Sequence, residues 1–300
     1  MKKVQVLMST YNGEKYLKEQ IESILQQEEV EISLLIRDDG STDKTVEIIT
    51  DIIKENNNVS FYTGPNIGPA KSFMELINNS KEADYYAFSD QDDVWNSKKI
   101  ISAINKLEDK ENGPSLYLSA LEIVDEELKP ITVRKVTGNF TFEGEIIKNF
   151  ATGCTQVFNK KLYEYIKSYT PNYIIMHDSW ITRVCYAIGG NVIIDEQTYI
   201  KYRQHSNNVI GYKDKTMRKL KKQYEIAFKN NISMRENIAI ELKKGYEENL
   251  TENAKMVVDN LINYKSSKKA KKWLLHNKKF RTNSFKINLK MLIAILLNKF

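Results

Sequence analysis

The sequence predicts an α/β fold in which helices flank a mostly parallel sheet, with a basic helical extension at the C-terminal end. Three observations support this prediction. Apolar, strand-like runs alternate four times with amphipathic segments between residues 4 and 107. Clusters of polar residues follow three of these strands, as they do where a parallel sheet binds ligands. The positive charge is concentrated in residues 211–300, where 22 lysines and arginines face 8 acidic residues.

The N-terminal elements are predicted from apolar periodicity and from capping residues. The strands are 4–9, 32–37, 59–62 and 85–89. The helices are 14–27, 44–55, a segment that follows the turn at 63–66 and ends near 78, and 97–107. Such alternation is typical of βαβ units, whose strands pair in parallel.

The rest of the chain has a less regular pattern. Further strands are predicted at 116–123, 131–136, 191–194 and 198–202, and helices at 142–150, 160–168 and 178–188. From about residue 213 onward the chain contains no proline and is predicted to be helical. We therefore expect two regions, an α/β domain over 1–211 and a basic helical region over 212–300.

Composition bounds the class of protein. With 41% apolar residues, a chain of 300 residues can bury a substantial core, which argues against disorder. The net charge of +6 divides into −8 on residues 1–210 and +14 on 211–300, so the extension is expected to face something anionic. Cys154 and Cys185 have neither metal-ligand nor redox spacing, which predicts two buried thiols in a reducing cytoplasm. The apolar runs are too short to predict a signal peptide or a transmembrane helix.

Polar clusters come directly after the first, second and fourth predicted strands. They are Thr10-Tyr11-Asn12, Asp38-Asp39 and residues 90–93. Parallel strands end at the same edge of a sheet, and ligands bind outside those ends. We therefore expect the three clusters to share one crevice.

The segment Asp90-Gln91-Asp92 is the strongest single candidate for a binding site. Two carboxylates separated by one residue are typical of a site that holds Mg²⁺ or Mn²⁺, and such an ion bridges diphosphate oxygens. The alternative is an ordinary loop before the next helix, with Asp93 near the helix N-terminus.

Several other residues are candidates for a functional role, and each also has an ordinary structural explanation. Asp39 can accept hydrogen bonds from a nucleotide base or ribose, or can belong to an Asp-Gly turn. Asp178 precedes an apolar helix and is either a general base or an N-cap, and Asp195-Glu196 is either an alternative base or a strand-end turn. His205 and Arg203 come late in the chain, where they can bind metal and phosphate or lie in a surface loop.

Taken together, the motifs resemble those of the inverting glycosyltransferases of family 2, which have the Rossmann-like GT-A fold. The similar segments are VQVLMSTYNG (4–13), IRDDGSTD (36–43), GPNIG (64–68), FSDQDDVW (88–95), TGC (152–154), HDSW (177–180) and YRQHSNNVIG (202–211). They occur in the order and spacing of that family and cover roughly residues 1–211. FSDQDDVW followed by YRQH is most similar to a rhamnosyltransferase-like branch, which builds bacterial surface polysaccharides.

The resemblance and the residue chemistry together assign roles. They place Thr10, Tyr11, Asn12, Asp39, Asp90 and Arg203 on the donor, Asp92 and His205 on a Mn²⁺ or Mg²⁺ ion, Asp178 as the catalytic base, and Trp180 beside the acceptor. The third carboxylate, Asp93, leaves open which oxygens reach the metal. The implied activity is metal-dependent transfer of a sugar from a nucleotide-diphosphate donor, first dTDP-L-rhamnose, to a hydroxyl of a surface polysaccharide or lipid-linked glycan.

The basic extension predicts a membrane contact. Residues 260–300 contain 11 lysines and arginines, no acidic residue, and interleaved apolar side chains. This pattern indicates an interfacial helix on anionic lipid, at the inner face of the cell membrane. The alternative is a helix packed on the catalytic domain with a solvated basic face. A nucleic-acid patch is disfavoured by the acidic body.

Two other functions are compatible with the same motifs. A sugar-phosphate nucleotidyltransferase also needs paired carboxylates, but it usually has a Gly-rich, basic N-terminal loop, which STYNGEKY (9–16) lacks. A non-catalytic, membrane-bound module that binds glycan or nucleotide would keep the fold without turnover. A dinucleotide dehydrogenase is disfavoured because no G-x-G-x-x-G follows the first strand.

Overall fold

The computed structural model describes residues 1–109, 113–205, 234–282 and 284–300. The strands within them are β1 (Lys2–Thr10), β2 (Val30–Asp38), β3 (Val59–Thr63), β4 (Tyr85–Ser89), β5 (Val94–Trp95), β6 (Ser115–Val124), β7 (Pro130–Arg134), β8 (Val157–Asn159) and β9 (Asn191–Arg203). The α-helices are α1 (Leu17–Leu25), α2 (Thr45–Glu55), α3 (Pro69–Asn79), α4 (Lys99–Glu108), α5 (Phe142–Ile147), α6 (Lys160–Ser168), α7 (His177–Ala187), α8 (Met234–Tyr246), α9 (Glu252–Asn263), α10 (Lys268–His276) and α11 (Phe285–Leu296). The predicted α/β class is confirmed.

The strands of the described residues form one sheet, with the order β3-β2-β1-β4-β8-β6-β9-β5 and β7 beside β6. β1 pairs in parallel with β2 and β4, and β2 with β3, as the βαβ pattern predicted. In the other half, β6 and β9 are parallel, whereas β5, β7 and β8 pair antiparallel with their neighbours. The very short β5 and β8 were not predicted, because two or three residues are too few to show a period.

The last strand differs from its prediction. Residues 191–203 form one strand, whereas the polar Asp195-Glu196 predicted a break between two strands. The register against β6 shifts after Ser119, and this irregularity accommodates the polar pair without ending the strand. Asp195 is buried in the sheet, where it accepts a hydrogen bond from the Tyr117 hydroxyl at 2.9 Å.

The sheet separates two hydrophobic clusters. Val6 and Met8 of β1 belong to the cluster that contains the buried residues of α1, α2 and α4. Leu7, between them, belongs to the cluster with α3, α6 and α7 on the opposite face, as strand alternation requires. Helices on both faces explain why the central strands are apolar throughout rather than alternating.

The carboxyl ends of the parallel strands meet at one edge of the sheet. Thr10, at the end of β1, pairs with Asp38 at the end of β2. Met8 pairs with Ser89, at the end of β4. The polar residues that follow these strands are therefore brought side by side, as predicted.

The described C-terminal helices pack on the α/β body. Tyr246 of α8, Leu274 of α10 and Ile295 of α11 belong to the same hydrophobic cluster as Trp180 of α7. The predicted boundary between residues 211 and 212 lies outside the described residues. Within the described part of the chain, none of the helices combines the length and the apolar character that a bilayer crossing requires.

Candidate active site

A cleft of about 400 Å³ opens at the carboxyl edge of the parallel strands. It is lined by Ser9, Thr10, Tyr11, Asp39, Asn66, Gly68, Pro69, Phe73, Asp90, Gln91, Asp92, Thr152, Gly153, Met176, His177, Asp178 and Tyr202. These residues include six of the predicted site residues, namely Thr10, Tyr11, Asp39, Asp90, Asp92 and Asp178. Carboxylates from the ends of two strands and from the start of α7 thus line a single crevice.

Asp39 is fixed by the turn that follows β3. Its carboxylate accepts hydrogen bonds from the N–H groups of Ile67 at 3.1 Å and Gly68 at 3.0 Å, and it pairs with the buried guanidinium of Arg37. Gly68 has φ +78°, a left-handed conformation that glycine adopts without strain. The cleft wall therefore presents an Asp39 carboxylate that is already oriented.

The loops after β1 and β2 are joined to each other. The Thr10 hydroxyl donates a hydrogen bond to Asp38 at 3.1 Å, and the N–H of Thr42 donates one to Asn12 Oδ1 at 2.9 Å. Asn12 does not line the cleft. Its side chain holds the second loop on the first, so the geometry gives no support to the donor contact predicted for Asn12.

Gln91 forms a clamp that the sequence did not indicate. Its side-chain amide donates to the Tyr11 carbonyl at 3.0 Å and accepts from the Tyr11 N–H at 2.8 Å. These two bonds fix Tyr11, which is 48% exposed and lines the cleft. The middle residue of an Asp-x-Asp motif is normally only a spacer, and this role arises because β1 and β4 are neighbours.

Asp92 and His205 lie together although they are far apart in the sequence. Asp92 Oδ2 and His205 Nε2 are 2.7 Å apart. The pairing of β9 with β5 brings the end of β9 beside residues 92 and 93. Asp92 and Asp90, on the same cleft wall, supply carboxylate oxygens of the kind that suits Mn²⁺ or Mg²⁺, and His205 adds an imidazole nitrogen that shares a hydrogen bond with Asp92. The residues therefore fit the predicted divalent cation.

A second set of possible ligands lies deeper. Asp90, Asp93 and Cys154 each have one possible ligand atom, a carboxylate oxygen or the thiol sulfur, and these three atoms lie within 4.8 Å of one another. Burial raises the pKa of the Cys154 thiol well above its usual value, which disfavours the thiolate form that ligates metals. Asp93 is fully buried and does not line the cleft. Asp92 and Asp90 line the cleft and are therefore better placed to hold a cation there than Asp93 and Cys154, while His205 lies behind Asp92 and contacts it directly.

Asp178 lies in the first turn of α7. Its Oδ1 accepts hydrogen bonds from the Ser179 N–H at 2.6 Å and the Asn149 amide at 3.5 Å. Burial raises the pKa of Asp178 to about 6, against the opposing effects of the Ser179 N–H and the Arg183 guanidinium. A carboxylate with this pKa is ionised at neutral pH and is still basic enough to accept a proton.

The structure corrects the placement of two predicted residues. Trp180 is 1% exposed and packs in the core, 6.2 Å from the ring of Tyr246. It lies on the face of α7 that the C-terminal helices cover, so it does not reach the cleft. Arg203 is buried and donates to the Asp92 carbonyl at 3.0 Å while it pairs with Glu19. Its guanidinium supports the loop that carries Asp92 and does not line the cleft where phosphate was expected.

The apolar wall of the cleft was not predicted. Phe73, Met176 and Tyr202 line it, and Phe73 and Tyr202 belong to the two hydrophobic clusters on the faces of the sheet. His177 also lines the cleft, but the sequence marked it only as the neighbour of Asp178. A local pattern cannot separate a core position from a wall position, because that difference depends on which elements pack nearby.

The sheet order and the acidic crevice at the strand ends agree with the GT-A fold that the sequence motifs predicted. The family profile "Glycosyl transferase family 2" matches residues 5–167. The chain belongs to this family.

Similarity to individual proteins agrees with this assignment. The chain is 32% identical over 220 residues to the "dTDP-rhamnosyl transferase RfbG" of Shigella flexneri, covering 68% of this chain and 73% of that protein. Its fold is similar to S. aureus TarS 1-349 in complex with UDP-GlcNAc, with a TM-score of 0.61, 18% identity, and coverage of 99% of this chain and 81% of that one. It is also similar to the mannosyltransferase PcManGT of Pyrobaculum calidifontis in complex with GDP-Man and Mn²⁺, with a TM-score of 0.51, 14% identity, and coverage of 99% and 86%.

Proposed function

We propose that this glycosyltransferase transfers a sugar, first L-rhamnose from dTDP-L-rhamnose, with inversion to a hydroxyl of a growing surface polysaccharide or lipid-linked glycan. The observation that carries the proposal is that Asp39, Asp92 and Asp178 line one cleft. The choice of sugar is supported by the similarity to the dTDP-rhamnosyl transferase described above. We propose that residues 1–211 form the catalytic domain and that 212–300 form a helical basic region that associates with the membrane.

Asp178 is proposed as the catalytic base. It accepts the proton of the acceptor hydroxyl, whose oxygen attacks the anomeric carbon from the face opposite the leaving nucleoside diphosphate. One bond forms as the other breaks, and the anomeric configuration is inverted. The Ser179 N–H and the Asn149 amide hold the carboxylate, and Thr10, Tyr11 and Asp39 line the donor side of the cleft.

A Mn²⁺ or Mg²⁺ ion is proposed as the cofactor. Asp92 and His205 would hold it, with Asp90 on the same cleft wall. When bound, a divalent cation neutralises negative charge on a diphosphate leaving group. The remaining side chains exclude water and orient the donor.

A thermal-shift screen followed by product analysis tests the proposed function. The full-length protein is mixed with dTDP-L-rhamnose, UDP-GlcNAc, UDP-glucose or GDP-mannose, with and without Mn²⁺. We expect stabilisation by one nucleotide class, greater with Mn²⁺, and release of the nucleoside diphosphate as the sugar is transferred. Binding without turnover would indicate a non-catalytic module. Formation of a nucleotide sugar from a nucleoside triphosphate and a sugar phosphate would indicate a nucleotidyltransferase.

The activity is expected to depend on pH through Asp178. Only the ionised carboxylate accepts a proton, so kcat/KM should fall as the pH drops through about 6. Arg183 opposes the upward shift of this pKa. Burial is the main cause of the raised pKa values of Asp90 and Glu145, and the charge of Asp178 adds to it. The measurement is kcat/KM for the donor from pH 5 to 8, with donor affinity followed over the same range. A kcat/KM that stays constant below pH 6 would contradict the assignment.

The membrane contact is proposed to lie on α11. Phe285, Leu289, Ile293, Leu296 and Leu297 are 45% to 80% exposed and recur at helical spacing along one face. Met291, Ala294 and Ile295 on the other face are buried in the core. The buried face therefore packs on the protein, as in the alternative to the membrane contact, and the exposed apolar stripe is proposed to contact the lipid. Each lysine near an anionic surface adds about 1 kcal/mol of attraction.

Replacing the stripe is expected to release the protein from lipid. The variant carries Leu289→Gln, Ile293→Gln and Leu297→Gln, and its binding to vesicles containing anionic phosphatidylglycerol should fall by at least about tenfold, because apolar burial is lost. Flotation of the full-length protein measures this, with pure phosphatidylcholine vesicles as the charge control. The matched control changes Ile131 and Val133 to Gln, since both are 51% exposed on β7. Equal flotation of all proteins would refute the contact.

A further inference from the structure

His177 is a buried polar side chain in the cleft whose nitrogens are both unused. It is 3% exposed and lines the cleft beside Asp178. Among the residues that the structure describes, neither Nδ1 nor Nε2 has a hydrogen-bond partner. A buried polar group without a partner reduces stability, so such a group in a binding site indicates that a ligand supplies the partner.

The ring of His177 is held rigidly by its neighbours. It stacks on Phe73 at 3.8 Å between ring centroids and meets the edge of Phe88 at 4.8 Å. On its other side lies Gly153, where an added Cβ would come within 2.7 Å of Nε2. Only glycine at this position leaves the imidazole where it is. The ring is thus oriented before any substrate binds, which limits the entropy lost on binding.

The chemistry of the ring selects the kind of partner. Burial lowers the pKa of His177 to about 3, so the imidazole is neutral at physiological pH. A neutral imidazole has one donor nitrogen and one acceptor nitrogen, and a hydroxyl group can pair with either. A neutral imidazole is a poor partner for phosphate, which binds best to charged donors. His177 is also separate from the proposed cation site, whose ligands are Asp92 and His205.

We propose that His177 binds a hydroxyl of the donor sugar and so contributes to the choice of sugar. This inference rests on the proposed function. The donor is favoured over the acceptor because His177 is almost fully enclosed, and the donor must bind beneath the acceptor for its anomeric carbon to be attacked. Proximity to Asp178, the proposed base, places this contact beside the reacting centre.

The test compares sugar-dependent affinity in two variants of the full-length protein. His177→Phe keeps an aromatic ring against Phe73 but removes both nitrogens, whereas His177→Gln restores a donor and an acceptor. Calorimetry measures the binding of dTDP, dTDP-L-rhamnose, UDP and UDP-GlcNAc, with Mn²⁺ present. His276→Phe is the matched control, because His276 is exposed on α10 and does not line the cleft.

We expect His177→Phe to bind the nucleoside diphosphates as the wild type does. Its affinity for the cognate nucleotide sugar should fall about fivefold to tenfold, the loss of one neutral hydrogen bond. His177→Gln should recover part of this loss, and His276→Phe should show none. If His177→Phe folds, binds the nucleotide sugar as tightly as the wild type and keeps its preference among sugars, this inference is overturned while the proposed function stands. If the wild type binds no nucleotide sugar, the proposed function fails, and this inference fails with it.

Discussion

Replacing Asp178 with asparagine is expected to lower the turnover number about 10²- to 10⁴-fold, the usual contribution of a general base. Asparagine has nearly the same shape and still accepts the Ser179 N–H, but it cannot take a proton. Its backbone carbonyl, which accepts from Gln156 and Thr182, is unaffected, so the start of α7 should not move. Donor affinity should therefore remain within a factor of about two, which is less than the change expected from the loss of one hydrogen bond.

Single-turnover kinetics and calorimetry with the donor separate these two effects. The matched control is Asp195→Asn, because Asp195 was the rival base but is buried in the sheet away from the cleft. It should keep its turnover. The melting temperature of Asp178→Asn should not fall, since the substitution removes a buried carboxylate that pays a desolvation penalty. If purified Asp178→Asn retains wild-type turnover, another group must act as the base.

Replacing Asp92 with asparagine is expected to weaken Mn²⁺ binding and transfer by at least about 100-fold. The loss of a residue that only supports a metal ligand typically costs about 10- to 100-fold, and the loss of a ligand should cost more. The substitution removes the charge of the oxygen that lies 2.7 Å from His205 Nε2. Stability without metal should change little. Burial and then the Asp92 charge raise the pKa values of Asp90 and Asp93, so the substitution relieves repulsion, but it also weakens the contact of Asp92 with His205. Titration with Mn²⁺, transfer assays and metal-free melting curves measure the three quantities.

The control for this prediction is Asp93→Asn. Asp93 is fully buried, and its Oδ1 accepts the Arg203 N–H at 3.2 Å, which the amide oxygen of asparagine can also do. Mn²⁺ affinity should therefore be unchanged in this variant. The reverse pattern, with Mn²⁺ binding lost in Asp93→Asn and kept in Asp92→Asn, would move the cation to the deeper group of Asp90, Asp93 and Cys154.

The parallel half of the fold and most of the acidic site could be predicted from the sequence. Strand and helix periods are local properties, and they indicated β4 at its observed bounds and α6 likewise. The rule that ligands bind at the carboxyl ends of parallel strands then brought Asp39 and Asp92 to one crevice. Asp178 and His205 were candidates from their residue types alone, and the resemblance of short motifs supported their roles, although no local period connects them to the strand ends.

Other features depended on contacts between distant segments. Whether Trp180 faced the cleft or the core depended on which side of α7 the C-terminal helices covered. The clamp of Gln91 on Tyr11 depended on the pairing of β1 with β4. Arg203 became a structural residue because it pairs with Glu19, far away in the sequence.

The sequence by itself determined most of the longer elements, their order and the carboxylates at the strand ends, because backbone periodicity and side-chain charge are carried within a few residues. Only the tertiary structure decided which of those side chains face the cleft. It also placed His177 in the cleft with no hydrogen-bond partner for either nitrogen among the described residues, and it buried one face of α11 while leaving the other exposed. The reason is that burial depends on all the neighbours of a side chain, and most of these neighbours come from other parts of the chain.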